Sequence, residues 1–538
     1  MLISKRPILS IVIVFLSTFV LFTGCSKKKF TDVKDVFVYS QNPIDYISGE
    51  TKTYEGESLT NTAIVDDFDN RYFVPWNLKK PPFPLEQVKW PWDSYTPRNS
   101  FKENQRPITD NWFKLMLLEA NFDDYGKVSK PGIVIKTSSI RNFPTHKPVF
   151  KDFSIAGEGY PFDYAQNSIT TSNEPVLISH YSTTKEWVYV ITSYTSGWLP
   201  THDVALIGSD IIAKWAQARQ AIVLEDDMPL YDLDHNFVSN SRIGMMMPIM
   251  KVENDSYQGI IATSKSDDYV TFSIVRIPQN SSISEPIPLK SQSIAIMAKT
   301  FMNKPYGWGG LYNNRDCSST LRDMFKPFSL WLPRNSKEQA QVGRIIDLHL
   351  LKAKQKEREI IKYAVPFQTL LYKPGHIMLY IGSIKGKVMV MHNMWGVTTK
   401  SKNIKKRNVV GRTIISTLSV GKELKGYAKK GSLLHKITSM NIITMKASAE
   451  PIVIKPKKPV RKKRKSSRQR RKEARAKKEK EAKEAEAAAN GETPTTAPGV
   501  KTQDATKTDD AVKTPKEAQT EPAATNNAEK TPTTTASV

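Results

Sequence analysis

The sequence predicts an α+β domain, preceded by two small all-β barrels and an N-terminal domain and followed by a basic, disordered tail. Three observations predict it. Between 289 and 400 a helical apolar pattern gives way to two strand-like runs. Between 130 and 285 short apolar runs alternate with turn residues. Beyond 446 large apolar groups nearly vanish while lysine and arginine accumulate.

A length of 538 residues supports several domains, and ten tryptophans with twenty tyrosines argue against general disorder. The net charge of +26 is unevenly spread: Pro451 to Asn490 holds 17 Lys/Arg against 5 acidic residues. Such a run is either a solvated, flexible charge block or a surface for anionic polymers.

The N-terminus reads as a secretory leader over 1–24. Lys5 and Arg6 open it, Ile8 to Phe22 is almost wholly apolar, and Thr23 and Gly24 precede Cys25. Leu21-Phe-Thr-Gly-Cys25 resembles a bacterial lipobox, which implies cleavage before Cys25 and its lipidation. The run is short for a spanning helix. The body of the chain is therefore expected outside the cytoplasm, lipid-anchored in the cell envelope, which argues against a nucleic-acid partner. Ser26 would suit outer-membrane sorting in a Gram-negative cell.

Residues 25–129 are rich in Tyr, Phe, Trp and Pro and are expected as an N-terminal packing domain, with a helix over Asp110–Asn121 opened by an aspartate cap. In 130–210 the runs Gly132–Lys136, Pro175–Ser179, Glu186–Val190 and Gly197–Leu199 suit a first barrel, with Trp187 and Trp198 in its core. In 211–288, Ala221–Leu224, Met246–Met250, Gly259–Ala262 and Val270–Ile274 suit a second. The α+β domain follows over 289–445. Its expected elements are a helix near Ile294–Met302, a helix from Cys317, a helix over Lys337–Leu351, and a hairpin of Gly375–Gly382 and Lys387–His392 around Ser383–Gly386. Residues 446–538 form the tail, with a charged helix near Glu479–Ala489.

Cys317 is one of two cysteines in the chain. A thiol becomes nucleophilic at a helix N-terminus or beside an imidazole, and Cys317 begins a helix-like run whose free N–H groups could also hold an oxyanion. His376 and His392 stand on the two strands of one predicted hairpin, opposite or one step off. The register is not fixed by sequence, so a shared face is an open point. A single cysteine is more often a small buried hydrophobe, and a strand histidine more often structural.

Four further strings bear on this choice: Tyr306-x-x-Gly309-Gly310 with Asp316-Cys317-Ser318, Leu332-Pro-Arg-Asn-Ser336-x-x-Gln339, Pro374-Gly-His376 to Gly382, and His392-Asn-x-Trp-Gly396. Their order and spacing resemble the NlpC/p60 papain-like cysteine peptidases of bacterial cell walls, over roughly 289–420. Arg141-Asn-Phe-Pro144, Gly159 to Asp163, Gln166, Ser168 and Gly197-Trp198 resemble the SH3b domains of one subgroup, and the region around Pro75-Trp76 resembles its N-terminal domain. The resemblance implies Cys317 as nucleophile, His376 as general base and His392 as orienting member. It implies Tyr306 beside the thiol, and Asp316 and Ser318 holding the free amino end of a stem peptide. It implies cleavage between γ-D-glutamate and a diamino acid. Ser319 departs from the family's usual glycine. Arg334, Ser336 and Gln339 read as loop-closing, and Gly309-Gly310 as a tight turn. The alternatives are a non-catalytic wall-binding lipoprotein, or a thiol acyltransferase or amidase on another envelope substrate. No metal cluster or nucleotide loop appears in the sequence, so no cofactor is expected.

Overall fold

Short runs of β-branched and aromatic residues between 130 and 283 pair into antiparallel strands. The computed structural model describes residues 32–47, 57–401, 404–455 and 467–489. The expected leader with Cys25, and the tail from 490, lie outside the described residues.

The first barrel uses Lys130–Val134, Ser138–Arg141, Gln166–Thr170, Pro175–Tyr181, Trp187–Ile191, Ser196–Pro200 and Val204–Leu206. Alternating residues Val134, Ile140, Val188 and Leu199 close its interior. Arg141 donates to Asp163 and to Gln166, each at 2.8 Å, so the buried guanidinium is paired. Trp187 and Trp198 are buried, but not in that interior. They lie on the outer face, packed with Leu177, Tyr189 and Phe122 of the N-terminal region. Strand alternation sends them there, since Val188 and Leu199 take the inward positions.

The second barrel, chiefly Gln220–Val223, Met246–Val252, Ser256–Ser266 and Tyr269–Pro278, joins the first at one parallel pair, Tyr269 with Leu206. In the N-terminal region a helix spans Asp110–Glu119, but its cap is Thr109, whose hydroxyl accepts from the Trp112 N–H. Asp110 instead pairs with Lys114 at 2.8 Å.

The α+β domain is a seven-stranded sheet in the order Ile404–Thr417, Lys387–Ser401, His376–Ile384, Thr369–Lys373, Ser439–Ile442, Arg344–Asp347, Ile452–Val453. Only the last pair is parallel. Helices Ser291–Thr300 and Cys317–Phe325 pack Met297, Met324 and Phe325 on one face, against Ile377, Leu379 and Met391. Helix Ala353–Tyr363 brings Ile360 to the other face. The expected helix over Lys337–Leu351 is only Ser336–Gln339, followed by the strand Arg344–Asp347. The helix closes on Ala340, and Gly343, with φ of +70°, turns the chain into that strand; a Cβ there would strike the Ile442 carbonyl. The tail expected from 446 begins later, because Ile452–Val453 still pairs with the sheet. Beyond it, in a separate unit, the basic run forms a helix over Ser467–Ala489 with i,i+4 pairs such as Lys477–Glu481.

Two sets of contacts fix the domains to the sheet. The segment 32–47 lies along the edge strand Ile404–Thr417. The Gln41 amide accepts from the Ile415 N–H at 2.9 Å and donates to its carbonyl at 3.0 Å, as a neighbouring strand would. Asp35 accepts from the Thr417 N–H at 2.8 Å. From the second barrel, Asp226 pairs with Arg315 at 2.6 Å, and Arg315 with Asp323 of the Cys317 helix at 2.7 Å.

Burial alone would raise the Asp226 carboxyl, but the hydrogen bonds and charge of Arg315 outweigh it and hold the group below its ordinary range. A carboxyl depressed in the folded state stabilises above its unfolded pKa of about 4, and that contribution is lost as pH falls through the folded value. Asp226→Ala should therefore cost about 3 kcal/mol at pH 7, read from the urea midpoint, with the gap to wild type closing below about pH 4. Equal midpoints at pH 7 would show that the Arg315 pair does not hold the barrel.

Candidate active site

The loop before the cysteine is shaped by two glycines. Gly309 and Gly310 have φ of +59° and +90°. A Cβ on Gly309 would lie 2.6 Å from the Gln166 carbonyl oxygen, and one on Gly310 2.7 Å from Ile169. The turn expected here is thus also where the loop presses against the first barrel, and Gln166 donates to the Gly309 carbonyl at 3.1 Å.

The helix then starts on a capping box. Asp316 accepts from the Ser319 N–H at 2.9 Å, and the Ser319 hydroxyl accepts from the Asp316 N–H at 2.9 Å. Ser319, the departure from the family pattern, supplies the reciprocal half of this cap. Cys317 is the first helical residue and is half-buried. The Asp316 side chain and carbonyl take the N–H groups of Ser319 and Thr320. The Cys317 N–H remains as a donor at the helix start, facing the end that favours negative charge.

The histidines lie on adjacent strands, His376–Ile384 and Lys387–Ser401. Their turn, Lys385-Gly386, has positive φ at both residues and pairs Ile384 with Lys387. Carried straight through, that register would put His392 across from Leu379, on the face away from His376. A bulge between Tyr380 and Gly382 shifts it, so that Leu379 pairs with Met391. His392 then falls across from Met378, on the His376 face. The rings meet: His376 Nε2 is 2.8 Å from His392 Nδ1, and His392 Nε2 is 2.9 Å from the Ser416 hydroxyl. The sulphur lies at the start of the His376 strand, where the Ile377 N–H reaches it.

Burial pushes the Cys317 thiol up to about 11, and the Asp316 charge adds to this; the Ile377 N–H, Arg334 and Lys373 act in the opposite sense. Burial holds His376 well below its ordinary value, aided by His392 and Lys373, and brings His392 down to about 3. At rest the thiol, reached by the N–H of Ile377 next to His376, and both imidazoles are neutral.

The remaining expected residues fall close by, in unequal roles. The half-buried Tyr306 has its hydroxyl pKa raised by burial and by the Cys317 charge, and its ring packs 5.9 Å from Trp395. Asp316 is committed to structure: beyond the cap, it takes Arg334 at 2.7 Å and the Gly309 N–H at 3.3 Å. Ser318 donates to Asp316 at 3.2 Å and accepts from Arg334 at 3.1 Å. The oxygens that the resemblance gives to a substrate amine are occupied by an arginine already on the chain. Arg334 closes more than its own loop, donating to Ser168 of the first barrel at 2.7 Å. Gln339 spans the Ser318 and Pro333 carbonyls, each at 2.8 Å.

Three contributors escape sequence reasoning. Ser416 is 24 residues from His392 and carries no motif. Lys373 pairs with His376 across the turn at Pro374-Gly375, and only proximity to His376 could have drawn attention to it. Phe162 of the first barrel inserts between Trp308, at 5.2 Å, and Trp395, at 5.7 Å, forming an aromatic wall beside Tyr306.

Residues 303–412 match the NlpC/P60 family, and 14–125 match the N-terminal NLPC_P60 stabilising domain. Residues 148–200 match an SH3 domain of the SH3b1 type and 209–252 one of the SH3b2 type. No curated protein matches the chain. Among solved structures, one described as a novel NlpC/P60 endopeptidase from Photobacterium damselae subsp. piscicida is 24% identical, with a TM-score of 0.67, over 76% of this chain and 98% of its own. An NlpC/P60 family protein from Bacillus cereus is 15% identical, with a TM-score of 0.38, over 52% of this chain and 82% of its own. With these matches falling in order on the N-terminal region, the two barrels and the sheet that carries Cys317, the chain is a member of the NlpC/P60 family with paired SH3b domains.

Proposed function

We propose that the chain is a cysteine peptidase of peptidoglycan stem peptides that cuts the bond between γ-D-glutamate and a diamino acid. The observation that carries this reading is the half-buried thiol at a helix start, reached by the N–H of Ile377 next to His376, whose Nε2 stands 2.8 Å from His392 Nδ1. In the proposed reaction His376 Nδ1 takes the Cys317 proton as sulphur attacks the glutamyl carbonyl. The Cys317 N–H holds the oxyanion. The carbon–nitrogen bond breaks, with the proton passing from His376 to the leaving amine. Water, deprotonated by His376, then hydrolyses the thioester. The family's wall-binding SH3b domains and the aromatic wall around Phe162 support a peptide held at the barrel interface. The engaged Asp316 favours the backbone and Tyr306 over that carboxylate for contact with the substrate.

The decisive test is mass spectrometry of L-Ala-γ-D-Glu-diaminopimelate peptides incubated with residues 26–457, beside Cys317→Ser and His376→Ala. Dipeptide and free diamino acid from wild type alone are expected. Intact peptide from a folded wild type would turn the reading toward a wall-binding scaffold or another acyl substrate.

A neutral resting pair makes His376 a general base rather than one half of a preformed ion pair. The rate of Cys317 alkylation by iodoacetamide should therefore rise only well above pH 8.5, the ordinary thiol value of about 8.5 being shifted upward. An inflection near pH 4, of the kind that papain's ion pair gives at about 3–4, would contradict this.

The proposed site of action is the cell envelope, with Cys25 as the lipidated residue. A mature protein beginning at any unmodified residue other than Cys25 would rule that out. For the basic run we propose an anionic envelope polymer as partner, through the charged face of Ser467–Ala489. Deleting 458–538 should weaken wall binding at low salt more than at high salt. An unchanged salt profile would refute it.

A further inference from the structure

Ser416 lies in the buried C-terminal part of the edge strand Ile404–Thr417, behind the histidine pair, and its contacts determine where protons sit. Its hydroxyl donates to the Thr417 carbonyl at 3.0 Å and stands 2.9 Å from His392 Nε2. A hydroxyl has one proton. With that proton on the carbonyl, the oxygen can only accept from His392, so Nε2 carries the His392 proton. A neutral imidazole has a single N–H, which leaves His392 Nδ1 bare. The group 2.8 Å from Nδ1 is His376 Nε2, which must then donate. His376 Nδ1 is bare in turn, and it presents a lone pair on the side of the ring away from His392.

We propose that Ser416 is a positioning residue that, through His392, keeps His376 in the tautomer able to take a proton from Cys317. The inference rests on the reading of Cys317 and His376 as nucleophile and base. The backbone around the hydroxyl is fixed from outside the sheet. Gln41 clasps both backbone groups of Ile415, and Asp35 takes the Thr417 N–H and its hydroxyl, the latter at 2.7 Å. Ser416 itself is fully buried. Burial holds both imidazoles neutral, so one proton per ring is the population to be placed.

Without the hydroxyl, His392 is free to carry its proton on Nδ1. His376 Nε2 then accepts, its own proton moves to Nδ1, and the nitrogen offered to the thiol is no longer a base. The geometry of the two rings is unchanged by this exchange, so a variant can fold correctly and still hold the wrong protonation pattern.

The test uses the protein labelled with 15N-histidine, since long-range 1H–15N spectra report which ring nitrogen carries the proton. Wild type should show Nε2–H on both His376 and His392. Ser416→Ala should populate Nδ1–H and lower kcat by about tenfold or more, with KM within about twofold, while Ser416→Thr restores both. Nδ1–H on His376 in wild type would overturn the proposal, as would a Ser416→Ala protein with unchanged tautomers and unchanged rate. If Ser416→Ala does not fold, the wild-type spectrum decides alone. Nε2–H on both rings in a wild type that cuts no stem peptide would support the relay and count against the substrate reading instead.

Discussion

The carboxylate of Asp316 is the point on which the site depends. It caps the helix that begins with Cys317, receives Arg334, and through Arg334 reaches Ser168 of the first barrel. One buried charge thus fixes the direction of the helix dipole, the loop after the helix and the position of a separate domain. Burial alone would raise this carboxyl; the charge and hydrogen bonds of Arg334, with the Ser319 donors, hold it ionised. The same negative charge opposes ionisation of the neighbouring thiol. The arrangement that positions the sulphur therefore also keeps it protonated at rest, and the reaction proposed for it needs a base that is free to act.

The histidine pair proposed for that role is assembled from long-range contacts, which the sequence shows only in part. The helix from Cys317, the hairpin, the barrel strands and the order of the domains follow from apolar periodicity and turn residues. The facing of His376 and His392 does not. It depends on a single-residue bulge at Ile381, which no alternation of apolar and polar residues reveals because the strand is buried on both faces. Ser416 was illegible for a similar reason, being brought to His392 by strand pairing across 24 residues. A helix running through to Leu351 is excluded at Gly343, whose left-handed backbone leads instead into the strand Arg344–Asp347. The aspartate cap was misplaced by one residue because Thr109 and Asp110 are both good capping residues, and the hydrogen bond alone distinguishes them. The role of Asp316 shows the reverse case. Its place in the motif is legible, while its engagement by Arg334 depends on a contact between residues 18 apart in the chain.

The barrels are part of this site rather than appendages to it. Gln166 and Ile169 press on the glycine loop, Phe162 completes the aromatic wall, and Asp226 anchors Arg315 two residues before Cys317. Each of these contacts is buried, polar or tightly packed, and each joins a barrel to the few residues around Cys317. A small displacement of either barrel would be transmitted to the thiol, because close-packed interiors yield in steps and not continuously.

The clasp of Gln41 on Ile415 also bears on how the protein meets other extended chains. Ile404–Thr417 is the outermost strand of the sheet, and an uncovered edge offers its N–H and C=O groups to any other extended chain. The side-chain amide of Gln41 satisfies one residue's pair of these groups, and Asp35 another N–H, without lending a strand of its own to which a further copy could add. The segment is a guard against self-association as well as a brace: it terminates the sheet by imitation, giving the edge a partner that cannot be extended.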